Sequence, residues 1–569
     1  MKHNYLILIF FIVLQSISGA SRAQYEDLYN SKSHEPYLKM SLETLLKSEY
    51  LPDFSYAGYK NGLAPLPRTI GNAIDVGDFG ARADDTIDDT SAIKAALKAA
   101  HNTKGPVIVR FDKGRYLISG ILRIERSDIT LRGMGAGQNG TTLYFPRPLN
   151  QVDKSTSLNE LREYIRTLDK RQVEADRNID EYFSEYSWSG GFIWVQKAGS
   201  RPAAYLADRD PELISLAEVT EGVRGQSTMV MADPGSIKKG DIVQIQWINR
   251  DGPDAGIIKS LYGSHSALAG SHHWSFPKRP LVRQTVRVLS VDGRTLTLAD
   301  ALLHDINETI PAHLSHWDGL VNVGIEDLHL EFPTAPHFGH HLEQGYNGIY
   351  LTSSFDSWVR DVRITNADSG ILSYSSANLT YTNIVTDGSR PAHYGVHLGN
   401  VHNVLVEDLR VMNPVRHSLT FNTQSTKCVY KNAEVFAIPT LDQHAGANHQ
   451  NLYDQVRLHV PARASDNGPI APVFDGSGAP YWQPGHGAYN TSWNLQILIT
   501  SGASSDETVL IQGVDEGPDA RVIGLHGNRR FKLEYRPEPY VMSLNEKIKS
   551  IPSLYDYQLR LRQQAQTFP

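Results

Sequence analysis

Between Val323 and His459 apolar and polar positions alternate in short bursts that recur along the chain. Aligning "VGIEDLHLEF", "SWVRDVRIT", "NLTYTNIVT", "NVLVEDLRV", "KCVYKNAEV" and "NLYDQVRLH" puts Asp327, Asp361, Asn383, Asp408, Asn432 and Gln455 in one column. An apolar column of Leu328, Val362, Ile384, Leu409, Ala433 and Val456 runs beside it. From Asp361 onward the separations are 22, 25, 24 and 23 residues. Self-similarity at such a period is the signature of a solenoid, so each repeat is one coil of stacked strands. The polar column is expected to hydrogen-bond backbone groups at a turn between strands, a structural role. A second column comes from "NGIYL", "SGILS", "YGVHL", "HSLTF" and, with a weaker fit, "HAGAN". There Gly348, Gly370, Gly395 and Ser418 precede the inward aliphatics Ile349, Ile371, Val396 and Leu419. The class is all-β.

Upstream, "AIDVGDFGARADDTIDDTSAIKAALKAA" (Ala73 to Ala100) carries Ile93, Ala96, Leu97 and Ala100 at helical spacing, with Asp89 or Thr90 available as the cap. Short strand-like runs follow: "GPVIVRF", "GRYLIS", "ILRIE", "DITLRGMG" and "TTLYFP". Two segments break the repeat. Ser155 to Glu185 is charged, with Leu158, Leu161, Ile165 and Leu168 at helical spacing, and predicts an inserted helix. Ser227 to Leu303 predicts a β-rich insertion, and "IPSLYDYQLRLR" a helix capping the open end of the stack. The resulting division is 1–23 signal peptide, 24–70 N-terminal extension, 71–150 cap and first coils, 151–226 helical insertion and return strands. It continues with 227–310 β-rich insertion, 311–535 main coils and 536–569 C-terminal helical cap.

The "DFGA-x-x-DD-x-x-DDT-x-AI-x-x-A" pattern resembles the opening of pectate-lyase-like right-handed parallel β-helix proteins. That resemblance implies fold more than reaction, since lyases, hydrolases and phage tailspikes share it. Asp84, Asp85, Asp88 and Asp89 within it are read as caps and turns.

Composition narrows the partner. Met1 to Ala23 has a basic start (Lys2), the apolar run "YLILIFFIVL" and small residues before Gln24, which predicts a cleaved signal and a secreted or periplasmic protein. Without Lys2 and Arg22 the balance is 53 basic against 62 acidic residues, a net −9 that argues against nucleic acid. A local basic groove can still receive an acidic polysaccharide. The single cysteine, Cys428, forms no intrachain disulfide. No membrane insertion and a monomer are expected.

Chemistry concentrates in one window. His337, His340, His341, His393, His397, His417, His444 and His449 are 8 of the chain's 22 histidines, with Tyr346, Tyr350, Tyr394, Arg360 and Arg416 among them. Residues one coil apart become neighbours at about 4.8 Å by strand spacing. His393, Tyr394 and His397 are thus expected one coil below Arg416 and His417, with Asp442, His444 and His449 one coil above. Such a group holds a base titrating near neutrality, a phenol and a guanidinium, the parts needed for β-elimination on a uronic acid. The expected catalytic residues are Arg416, His417, His397, Tyr394 and His444. Expected substrate contacts are His340, His341, Tyr346, Arg360, His393 and His449, with Trp274, Lys278 and Arg279 of the "SHHWSFPKRPLVR" loop. A rival reading makes Asp442, His444 and His449 metal ligands. No cofactor is required, and no specific motif supports Ca2+.

"PVRHSLTFN" is similar to the "RHG" segment of β-helix alginate and dermatan-type lyases, which implies that Arg416 assists elimination. In those lyases a lysine one coil earlier is the base; here His393, Tyr394 and His397 stand in that coil, and Ser418 replaces the glycine. The "NTDG", "RIK" and "RxPxxR" elements of related hydrolases and pectate lyases are absent. The first expectation is therefore a secreted polysaccharide lyase. The alternatives are a glycoside hydrolase on the same scaffold, for which Asp356, Asp368, Asp387, Asp442 and Asp475 remain, and a non-catalytic carbohydrate-binding β-helix. His329 and His459 fall beside the turn column and are read as structural.

Overall fold

The computed structural model describes residues 40–48, 50–68, 72–168, 184–202, 215–249, 252, 256–268, 280–444, 446–476, 478, 483–513 and 516–567. The expected signal segment 1–23 and the loop residues Trp274, Lys278 and Arg279 lie outside them. No helix among the described residues is long and apolar enough to cross a membrane.

The coils form a parallel β-helix. On one side Gly324–Glu331 pairs in parallel with Trp358–Thr365, that strand with Thr380–Asp387, and that with Leu405–Val411. The registers step over Asp327, Asp361, Asn383 and Asp408. Each of these, with Asn432 and Gln455, has a left-handed backbone, φ between 53° and 59°. Asn and Asp tolerate that region best among residues with a Cβ, which explains the column's composition. Four of these side chains bond in pairs up the stack, Asn383 Nδ2 to Asp361 Oδ1 at 2.6 Å and Asn432 Nδ2 to Asp408 Oδ1, and not to backbone groups at the turn. The Ile, Leu and Val residues after the left-handed position point inward and are fully or nearly fully buried.

A second sheet faces the first across the core. Its parallel strands are Leu122–Ile124, Ile193–Val195, Asn347–Thr352, Ser369–Tyr374, Ala392–Gly399, Val415–Phe421, Leu441–Gln443 and Phe474–Asp475. Ile349, Ile371, Val396, Leu419 and Leu441 align as its inward column. The fifth member is thus Leu441 and not "HAGAN", because that coil closes in 22 residues and "HAGAN" falls in the following corner. Glycine precedes the aliphatic because coils meet there: a Cβ on Gly370 would lie 2.4 Å from the Gly395 carbonyl oxygen.

Helix Thr90–Asn102 buries Ile93, Ala96, Leu97 and Ala100 against the first coils. Neither Asp89 nor Thr90 caps it with a side chain. Asp89 instead accepts from the Arg82 and Leu117 amides, Thr90 Oγ1 accepts from the Ser119 amide, and Asp88 receives the Thr90 amide at 2.9 Å. Helix Asn159–Leu168 buries Leu161 and Ile165, with Leu158 just ahead of it.

The β-rich insertion is a closed antiparallel barrel with its own core, running from strand Ala217–Gly222 to strand Ala312–His316 and so wider than 227–310. It docks on corners of the stack. Asp300 accepts from His402 and Asn403 at 2.7 Å each, Arg283 donates to Gln424 at 2.6 Å and Arg287 pairs with Asp356 at 2.9 Å.

The C-terminal helix Leu554–Thr567 does not cap the open end. It lies along the flank with 45–57, and together they cover Leu405, Val429, Leu452, Trp493 and Ile523 from successive coils. Its entry is held by Asp454, whose carboxylate accepts from Ser553 Oγ at 2.6 Å and the Tyr555 amide at 3.0 Å. Burial pushes the Asp454 carboxyl up to about 7, with the Ser553 hydrogen bond opposing. A carboxyl raised on folding favours the docked state at low pH, and that contribution is lost as pH rises through about 7. Hydrogen exchange in 554–567 is therefore expected to quicken between about pH 5 and about pH 9 by more than the intrinsic chemistry, and Asp454→Asn should remove the excess.

Candidate active site

Strand register assembles the histidine cluster. Tyr394 pairs with His417, His397 with Thr420, and Thr420 with Asp442. His417 has the parity of inward Leu419 and lies inside the strand Val415–Phe421, and its ring meets the cluster. It lies almost parallel to the Tyr394 ring, centroids 5.1 Å apart and planes at 25°. Its Nδ1 is 3.0 Å from Asp442 Oδ2, and His444 Nδ1 is 3.3 Å from the same oxygen. One carboxylate thus joins two imidazoles from consecutive coils. Burial would raise the Asp442 carboxyl, but the two histidines outweigh it and hold it well below the usual range.

A second group adjoins the first. His340 Nε2 lies 3.1 Å from His393 Nε2, and the His340 and His341 rings are 3.8 Å apart. His393 stacks on Tyr394 at 4.1 Å and lies 5.3 Å from His417. Glu343, buried two residues beyond His341, approaches His393 Nδ1 at 3.2 Å and accepts from Ser187 Oγ. Burial drives His393 well below its ordinary value and His341 to about 4, so these rings are neutral at pH 7. His340 is lowered as well, first by burial and then by His393.

Arg416 precedes His417 on the same strand and is exposed; no carboxylate pairs with it among the described residues. It is the solvent-facing cation of the cluster. His397 is fully buried between Tyr374 and Tyr394, at 4.5 and 4.6 Å, and burial holds it to about 3. It belongs to the wall of the cluster and is as enclosed as His417, but of the two only His417 has a carboxylate at its ring, Asp442 at 3.0 Å.

Other expected residues lie apart. Arg360 stands on the opposite sheet, where it and Arg132 neutralise the buried Glu326. Tyr346 is buried under the Arg390 guanidinium, 4.7 Å from its ring, and Arg390 pairs with Asp368 at 2.8 Å. His449 faces the barrel: its Nε2 lies 2.8 Å from His304 Nε2, and its Nδ1 bonds the Ala447 carbonyl. His449 is therefore a docking residue, and the metal reading of Asp442 with His444 and His449 loses its third member. His417 takes that place: the ligand atoms of His417, Asp442 and His444 lie within 4.8 Å of one another, as do those of His340, His341 and His393. Sequence reasoning missed Glu343 and Arg390, which stand in corners with no repeat to mark them. His329, between Thr142 and Thr365, and His459, on Glu434, are structural as read.

Residues 73–152 match the family model described as rhamnogalacturonase A/epimerase, pectate lyase-like. In that stretch the N-terminal coils are similar to pectate-lyase-like proteins. No curated protein matches. Among solved structures, the tailspike protein gp49 from Pseudomonas phage LKA1 is similar at 13% identity and TM-score 0.43, over 79% of this chain and 64% of that one. The chain thus spans less than two thirds of that tailspike. The Azotobacter vinelandii mannuronan C-5 epimerase AlgE6 A-module gives 11% and 0.35, over 82% and 98%. DFA-IIIase from Arthrobacter chlorophenolicus A6, without its lid, gives 10% and 0.33, over 83% and 92%.

The placement of His449 is testable. His449→Ala should lower unfolding free energy by about 1–3 kcal/mol, by orphaning a buried imidazole, in chemical denaturation. Turnover of any glycan the protein cleaves should stay unchanged; its loss would return His449 to the site.

Proposed function

We propose that the protein is a secreted or periplasmic polysaccharide lyase that cleaves an acidic, uronate-containing polysaccharide by β-elimination. The observation that carries this reading is the Asp442 carboxylate shared by His417 and His444, one residue along the strand from the exposed Arg416. An ionised Asp442 keeps the proton on His417 Nδ1 and leaves Nε2 as a lone-pair base. Arg416 holds the uronate carboxylate in a fork and offsets the charge that builds on it as the neighbouring C–H bond breaks. His417 takes that proton, and a carbon–carbon double bond forms. The bond to the glycosidic oxygen breaks, and His444, on the other side of the same carboxylate, protonates the leaving oxygen. Tyr394 fixes the His417 ring by stacking.

A glycoside hydrolase is the second reading, favoured by one observation. Asp442 pairs in register with Asp475 of the next coil, and their carboxyls are driven apart. Asp442 is held low, while burial and the Asp442 charge raise Asp475. A split carboxyl pair is the arrangement glycosidases use for nucleophile or base and for acid.

Incubation with a panel of uronate polysaccharides separates the two. Ultraviolet absorbance from an unsaturated uronate is expected, and Arg416→Ala or Asp442→Asn should cut its rate by roughly 100-fold or more, as loss of a charge-stabilising or orienting group does. New reducing ends without that absorbance, abolished by Asp475→Asn, would replace the lyase reading with the hydrolase. Neither signal on any polymer would leave a binding protein.

A further inference from the structure

We propose that His340, His341 and His393 bind one divalent first-row transition-metal ion, oriented from behind by Glu343. The ligand atoms of the three rings lie within 4.8 Å of one another. The 3.1 Å between His340 Nε2 and His393 Nε2 is near the roughly 3.3 Å that separates two imidazoles on one tetrahedral ion with bonds of about 2.0–2.1 Å. Glu343 stands behind the site: its carboxylate is 3.2 Å from His393 Nδ1, a charge that favours the proton on that nitrogen and leaves the Nε2 lone pair toward His340. A carboxylate behind a ligating imidazole is the usual outer arrangement of such sites. Glu343 is itself buried and anchored by Ser187 Oγ and by the His341 amide at 3.2 Å.

Backbone strain points the same way. His341 has φ of 70°, a left-handed conformation unfavourable for a residue with a Cβ, and it brings two consecutive rings to one side, 3.8 Å apart. Imidazole donors suit zinc and its neighbours, whereas Ca2+ takes six to eight oxygens, a number drawn from its general chemistry at about 2.3–2.6 Å. In the adjacent trio Asp442 contacts both imidazoles, at 3.0 and 3.3 Å, an ion pair that a metal would have to replace, so a single ion is expected. His340 is exposed, which leaves a face of the ion open beside His417, whose ring is 5.6 Å from that of His340. On the lyase reading, that open position takes a carboxylate oxygen of the substrate; binding of the ion itself does not rest on that reading.

The test is binding to the full chain after chelation, with ZnCl2 followed by calorimetry and CoCl2 by visible absorption. One equivalent is expected, with the intense bands of low-coordinate Co2+. His340→Ala and His393→Ala should abolish both signals, and Glu343→Gln should weaken binding by roughly 10- to 100-fold. Asp442→Asn should leave affinity unchanged. Absence of saturable binding would overturn the proposal, as would binding that survives His340→Ala or is lost in Asp442→Asn instead. If His393→Ala does not fold, His340→Ala decides, since its ring is exposed. Binding is read without turnover, so a chain that binds zinc but forms no unsaturated product refutes only the lyase reading.

Discussion

A pair of left-handed residues, recurring at the same two points of each coil, is the constraint on which this molecule depends. Asp361, Asn383, Asp408, Asn432 and Gln455 turn one corner, and Asp356, Asn378, Asn403, Lys427 and Gln450 turn another five residues earlier in each coil. The spacing holds again at Tyr489 and Asn494, and at Asp519 and Gly524. With corners fixed, side chains one coil apart superpose at about the strand spacing. That superposition puts Tyr394 on His417 and His397 level with Thr420 and Asp442. Helical or looped linkages of variable length could not hold five aromatic rings and a carboxylate in this arrangement.

Corners also explain what could be read beforehand. A left-handed backbone restricts residue type, so the Asp/Asn column shows in the sequence even though its cause, conformation and not backbone capping, does not. The inward column was equally visible, because Ile349, Ile371, Val396 and Leu419 must fill one core. Where the local motif is lost, pattern matching slips: the fifth coil enters the second sheet at Leu441 after an ordinary 22 residues, with Thr440 in the small-residue position, and "HAGAN" only resembles the repeat. The histidine cluster was legible in outline because stacking is legible. His449 was misplaced because its partner, His304, lies 145 residues away in the barrel, a contact no periodicity encodes. Arg360 looked free for the same reason, since Glu326 belongs to a coil separated from it by a longer excursion. Glu343 had no signal at all, standing in a corner between repeats.

On the proposed lyase reading, the site meets an electrostatic problem through neutrality. An acidic chain would repel an acidic polymer, and buried imidazolium groups would be costly. Here most of the rings are kept uncharged by burial, the buried Asp442 carboxylate is shared between two imidazoles, and the cation that solvent meets is Arg416. Charge is thereby presented at one point and not spread, which favours orientation of a carboxylate over general attraction.

The two terminal segments bear on how the stack comes apart. Solenoids lose their end coils first, since each coil contacts only its neighbours. Here Gln558 bonds the Pro52 carbonyl at 2.9 Å, Arg562 bonds that of Ser55 at 2.7 Å, and the Tyr540 hydroxyl reaches Met40 at 2.9 Å. The joined segments run lengthwise over five coils, like a splint across a row of bricks. A splinted row cannot lose one brick without lifting the splint from all of them, so local fraying gives way to cooperative opening of the whole C-terminal half.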